Sequence, residues 1–118
     1  MSIQRIEVGP RMSQAVVHNK TVYLAGQVAT KAKNMGVAEQ CADILESIDR
    51  LLKLAGTDKS HVLSATIWLT DMATFADMNK VWEGWVTKGH TPARATVLSQ
   101  KLAAPEYKIE IGVIAAQP

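Results

Sequence analysis

The chain has a single cysteine, Cys41, so it cannot close an internal disulfide, which fits a reducing compartment. No apolar run approaches the ~20 residues that span a bilayer, and the opening Met-Ser-Ile-Gln-Arg-Ile-Glu lacks the apolar core of a secretory signal. These two absences lead us to expect a cytosolic protein without a membrane partner. There is no Gly-rich phosphate loop, no nucleophile elbow, no cysteine pair and no His-x-x-x-His spacing, so the common signatures of nucleotide, serine-hydrolase and zinc chemistry are missing. His18, His61 and His90 fall in three separate loop or strand-end positions, each read as a surface residue, and neither a metal nor any other cofactor is expected. Lysines and arginines are scattered, with a net charge of only +2 and no cluster beside aromatics, which argues against a nucleic-acid partner. Internal repeats and low-complexity segments are absent as well.

What is present is globular composition. Hydrophobic residues make up 47% and charged residues 20% of 118 positions, enough for one self-sufficient core, and residues 1–118 read as a single domain. Ile3 to Val8 alternates and stops at Gly9-Pro10, a short first strand. Ala15–His18 and Thr21–Ala25 are β-rich runs around Asn19-Lys20, the spacing of a two-residue hairpin, although lysine is a poor choice where positive φ is wanted. Thr30 to Gly36 reads as a loop. Val37, Cys41, Ile44, Leu45, Ile48, Leu51, Leu52 and Ala55 then recur at helical spacing, with Glu39 near the positive end and Gly56 placed for a left-handed cap. Cys41 lies on that apolar stripe and is expected to be a buried, inert thiol.

Val62 to Leu69 reads as a strand. Thr74 and Asp77 have the form of a capping box before a second helix from Phe75 to about Val86, with a break at Lys88-Gly89. Ala95–Leu98 and Lys108–Ile114 supply two more strands, joined by a bend over Leu102–Glu106. The order is β-β-β-α-β-α-β-β, an α+β domain in which two helices cover one face of a mixed sheet. Ile67-Trp68-Leu69 and Ile111, Val113, Ile114 are apolar on both faces, and two helices cover only one, so we expect other copies of the chain to cover the second.

Two charges stand out in the stretch Thr91 to Ile114. Pro92 keeps the backbone extended ahead of Arg94, which offers a rigid fork of donors to a carboxylate. Taken alone, Arg94 reads more simply as half of a surface ion pair. In Lys108-Ile109-Glu110-Ile111-Gly112-Val113, alternation puts Ile109, Ile111 and Val113 on one face and Glu110 and Gly112 on the other. A carboxylate there should be paired or functional, a structural bridge to Lys108 or Arg94 being the plain alternative, and Gly112 leaves room for a water.

Pro92-Ala93-Arg94-Ala95-x-Val97 followed by Lys108-Ile109-Glu110-Ile111 resembles the signature of the RidA/YjgF family of imine and enamine deaminases, formerly the endoribonuclease L-PSP family. Ala25-Gly26-Gln27 and the Ala-Gly ending of the first helix match too, so the resemblance spans nearly the whole chain. It implies a chorismate-mutase-like fold, a homotrimer with active sites between subunits, and metabolite repair: hydrolysis of species such as 2-aminoacrylate and 2-iminopropionate to 2-oxo acids and ammonia. On that resemblance Arg94 binds the substrate carboxylate and Glu110 positions the attacking water, the two meeting in a cleft between subunits. The backbone of Gly26 and Thr96 lines the pocket.

The chain departs from the archetype of that family in three places. Arg11 and Met12 stand where a tyrosine is usual, Thr96 replaces a cysteine, and Ala25 replaces a hydroxyl residue. Arg11, if it reaches the cleft, would favour a substrate with a second acidic group. A non-catalytic module that holds a small carboxylate in the same cleft is the alternative function; it needs Arg94 but not Glu110. The ribonuclease activity in the family's older name lacks its residues here, namely a basic groove and paired acid and base histidines.

Overall fold

A computed structural model of the chain describes residues 2–118. Seven strands form one sheet: β1 (Gln4–Val8), β2 (Ser13–His18), β3 (Thr21–Leu24), β4 (Gln27–Val28), β5 (Val62–Leu69), β6 (Ala93–Leu98) and β7 (Ile109–Ala116). The helices are α1 (Val37–Leu54) and α2 (Phe75–Trp85). The sheet order is β1-β2-β3-β7-β5-β6, with β4 also on β7; β5 and β6 run parallel and the other pairs antiparallel. The mixed α+β architecture is the expected one. The addition is β4, a two-residue strand that follows β3 along β7 after a break at Ala25-Gly26, too short to leave a periodic signal.

The hairpin turn forms at Asn19-Lys20, where both residues take left-handed backbone, φ 52° and 61°. That conformation suits the twist of the flanking strands but crowds a Cβ. Lys20→Gly is therefore expected to raise stability by about 0.5–1 kcal/mol, read as a higher urea midpoint at unchanged m-value.

Helix α1 buries Val37, Gln40, Cys41, Ile44, Leu45, Ile48, Leu51 and Leu52 against the sheet. It ends in a Schellman arrangement: Gly56 at φ 79° donates its N–H to Lys53 O, and Thr57 N–H reaches Leu52 O at 2.9 Å. Helix α2 starts differently from the capping-box expectation. Thr74 makes no side-chain cap; a 3-10 turn (Met72–Thr74) precedes the helix, and the Asp71 carboxylate accepts from Ala73 N at 2.9 Å. The Thr74 hydroxyl instead donates back to Asp71 O, because Thr74 already has turn geometry and cannot fold over the next turn.

Cys41 is fully buried, and burial pushes its thiol up to about 12, with the Arg94 charge acting weakly in the other direction. Its burial on the apolar stripe is as expected, and it disfavours the reactive thiolate. The molecule measures 44 × 38 × 21 Å, a slab as thick as one sheet and one helical layer. Ala65, Ile67, Ile109, Ile111 and Val113 sit under the helices, while on the far face Tyr23 pairs with Ile114 and Val97 with Trp68 in the open. Tyr23, Val97 and Ile114 are 46%, 40% and 37% exposed, so one chain leaves an apolar face uncovered. Among the described residues no helix is long and apolar enough to cross a membrane.

Candidate active site

Strand β7 starts from a tether to the helical layer. The buried Gln40 side chain accepts from Lys108 N at 2.9 Å and donates to Glu106 O at 2.8 Å, which sets where the strand begins. From there alternation buries Ile109, Ile111 and Val113 and turns Glu110 and Gly112 to the open face. Across the strands Glu110 pairs with Trp68 on β5 and Val28 on β4.

The Glu110 carboxylate lies on the Cα of Gly26. A Cβ added at Gly26 would stand 3.0 Å from Glu110 Cδ and closer still to Oε2, so only glycine leaves the carboxylate in place. Gly26 is itself held by its neighbours: Gln27 Nε2 donates to Ala25 O at 3.0 Å and to Gln14 Oε1 at 2.9 Å. Partial burial raises the Glu110 carboxyl above the usual carboxylate range. Among the described residues the ion pairs are Lys31–Glu46, Arg50–Glu7 and His61–Asp58, and none involves Glu110 or Arg94. A structural bridge to Lys108 or Arg94 within the chain is thereby corrected: register separates Glu110 from Arg94, and nothing neutralises the acid.

Arg94 lies on β6, the edge strand. It is paired with Ala65, which is paired with Val113, and both are buried beneath the helices, so Arg94 is on the helical side of the sheet. Its guanidinium carbon stands 5.8 Å from the Phe75 ring and 5.6 Å from the Trp82 ring, and Nη1 lies 3.9 Å from Met78 Sδ. Cation–π contact orients the fork without consuming its donors, and a thioether is a weak acceptor. Thr96, two residues on, shares that side, and its buried hydroxyl has no hydrogen-bond partner.

The expected site residues thus form two groups on opposite faces of one sheet: Glu110 with Gly26 on the open face, Arg94 with Thr96 on the helical side. Arg11 belongs to neither. It is exposed between β1 and β2, in a hollow of about 170 Å³ whose wall includes Glu7, Pro10 and Gln14 but not Glu110 or Arg94. Trp68, beside Glu110, and the Phe75–Met78–Trp82 cradle of Arg94 were missed from sequence. Only strand register and helix placement reveal them, although Trp68 alternates out of phase with buried Ile67 and Leu69.

A seven-stranded mixed sheet with one helical layer, an unneutralised acid over a glycine on its bare face and an arginine at its edge defines an α+β protein with one sheet face left uncovered by its own helices. The chain belongs to the YjgF/RidA family: the family model described as Endoribonuclease L-PSP matches residues 2–117. A RutC family protein of Haemophilus influenzae is 43% identical over 115 residues, covering 98% of this chain and 98% of that protein. The human 2-iminobutanoate/2-iminopropanoate deaminase is 34% identical over 116 residues, covering 93% of this chain and 82% of that one. Among solved structures, a YjgF-family protein of Neisseria meningitidis superimposes with a TM-score of 0.95 at 45% identity, over 100% of this chain and 97% of that chain.

Proposed function

We propose that the protein hydrolyses short 2-imino acids and their enamine tautomers to 2-oxo acids and ammonia. The observation that carries this reading is Glu110: a half-buried carboxylate with no cation, on a bare face, seated on a glycine that leaves it room. Its raised pKa brings it closer to the acid–base task it would perform. Glu110 takes a proton from a water as that water's oxygen adds to the imine carbon. Glu110 passes that proton to the nitrogen, then takes the adduct's hydroxyl proton and delivers it to the amine, so that the adduct collapses to a carbonyl and ammonia leaves. Arg94 of a neighbouring copy clamps the substrate carboxylate and holds the carbon in line with the water.

This arrangement needs at least two chains, since Arg94 and Glu110 lie on opposite faces of one sheet. It accords with a homotrimer whose clefts join the open face of one copy to the β6 edge of the next. A solution mass of three times the 12.8 kDa chain is expected, and a monomer would remove the shared site. Within one chain Arg11 lines a separate hollow, away from both Glu110 and Arg94. The ribonuclease in the family's description finds no support in the site, whose two charged groups suit a small carboxylate.

The test is to generate 2-iminopropanoate in place from alanine with an amino acid oxidase and follow its disappearance. Acceleration over buffer is the expected result. Binding of the 2-oxo acid with no acceleration would establish the carboxylate-binding module instead. Gly26→Ala should lower kcat/KM by roughly 10-fold or more while leaving the fold intact, because a displaced Glu110 loses about an ångström of alignment; circular dichroism and the turnover assay together check this.

A further inference from the structure

Gly112 is a mid-strand glycine that the chain's own geometry does not demand. Its φ is not left-handed, and the pairing of β7 with β5 runs through Thr66 and Gly112 without a shift. A Cβ built there would meet nothing nearer than the Trp68 ring at 3.6 Å, an ordinary contact. Glycine weakens a strand, and one with no bulge or bend to explain it marks a place where a ligand or another backbone comes close.

Register identifies what surrounds that place. On the open face Glu110 has Trp68 and Val28 across the strands and Lys108 and Gly112 along its own. Three of these neighbours carry side chains, and only over Gly112 is there space. The Gly26 Cα lies 3.9 Å from the position of a Gly112 Cβ, so two glycines stand side by side. The Glu110 carboxylate covers Gly26 and the edge of the Trp68 indole borders Gly112. Between them is a shallow recess, with an aromatic wall, next to the acid.

The inference rests on the deaminase reading. The reacting carbon of a 2-imino acid carries nitrogen, a carboxylate and a side chain; the carboxylate goes to Arg94 of a neighbouring copy, and the carbon must lie within reach of water held by Glu110. The geometry points to Gly112 and Trp68 as the subsite for the substrate's side chain, and as the residues that set its size. With two glycines as its floor, this place suits a small side chain such as methyl or ethyl. A branched side chain meets the indole, and a second carboxylate is desolvated against it without a partner.

Gly112→Ala and Trp68→Phe test this against imines bearing methyl, ethyl, isopropyl and carboxyethyl side chains, each made in place from the parent amino acid by an oxidase. For Gly112→Ala the ratio of kcat/KM for the ethyl to the methyl substrate should fall by about 10-fold or more, the scale of one methylene in an apolar pocket. For Trp68→Phe the isopropyl substrate should gain on the ethyl one. Equal loss on every substrate, or an altered solution mass with selectivity unchanged, would overturn the assignment and make Gly112 a packing position between copies. A wild-type preference for the carboxyethyl imine would overturn it as well. Should the wild type hydrolyse no imine, the deaminase reading fails separately, and the recess is judged by titrating 2-oxobutanoate and pyruvate onto wild type and Gly112→Ala. Loss of the larger acid alone upholds it; identical behaviour, or no binding, rejects it.

Discussion

Glu110→Gln is expected to lower kcat by about 10²- to 10⁴-fold, with a much smaller change in KM. Glutamine keeps the shape of the side chain and its seat on Gly26, but it takes no proton from water. On the proposed mechanism the loss should therefore fall on the chemical step, and substrate binding by Arg94 should survive. The wild-type pH profile should carry the same signature. Because partial burial raises the Glu110 carboxyl, the acid limb of kcat/KM lies higher than an exposed glutamate would put it, and Glu110→Gln should lack that limb. Stability supplies an independent check whose sign follows from proton linkage. A carboxyl with a raised native pKa binds protons more readily folded than unfolded, so its ionisation costs stability as pH rises through that window. Glu110→Gln should be the more thermostable protein at neutral pH, and the difference should close in acid. A variant that retains full turnover would dispose of the catalytic role.

Arg94→Ala should reduce kcat/KM by roughly 10²- to 10³-fold, most of it in KM, since a buried substrate carboxylate left without its cation costs about 2–5 kcal/mol. Arg94→Lys should restore only part of this. Lysine supplies the charge but not the planar fork, and it forfeits the stacking on Phe75 and Trp82 that aims the group. The single and double variants also test the shared site. Inactive Arg94→Ala and Glu110→Gln chains, mixed and reassembled, should recover activity in those clefts that draw Arg94 from one chain and Glu110 from another. An absence of recovery in verified mixed assemblies would place both residues in one chain's site.

Much of this protein is a matter of local pattern. The period of α1, the Gly56 cap, the hairpin at Asn19-Lys20 and the outward turn of Glu110 all depend on residues within a turn or two of one another, and all were legible. The start of α2 was not, because a threonine followed by an aspartate serves a capping box or a 3-10 entry equally well, and Asp71 decided between them by capping first. Strand β4 was invisible for another reason: two residues have no period, and only β7 makes them a strand.

The site divides along the same line. The sequence by itself singled out the candidate residues: an arginine behind Pro92, an acid in an apolar strand, a glycine before Gln27, and a family pattern that would give them complementary roles. Alternation along β6 settles nothing about Arg94, whose neighbours Ala93, Ala95 and Thr96 are too small and mixed to declare a buried side. Only the tertiary structure put Arg94 beneath α2 and Trp68 beside the acid. The physical reason is that side-chain alternation is encoded within a strand, whereas which strands lie together, and in what register, is decided by packing between segments far apart in the chain.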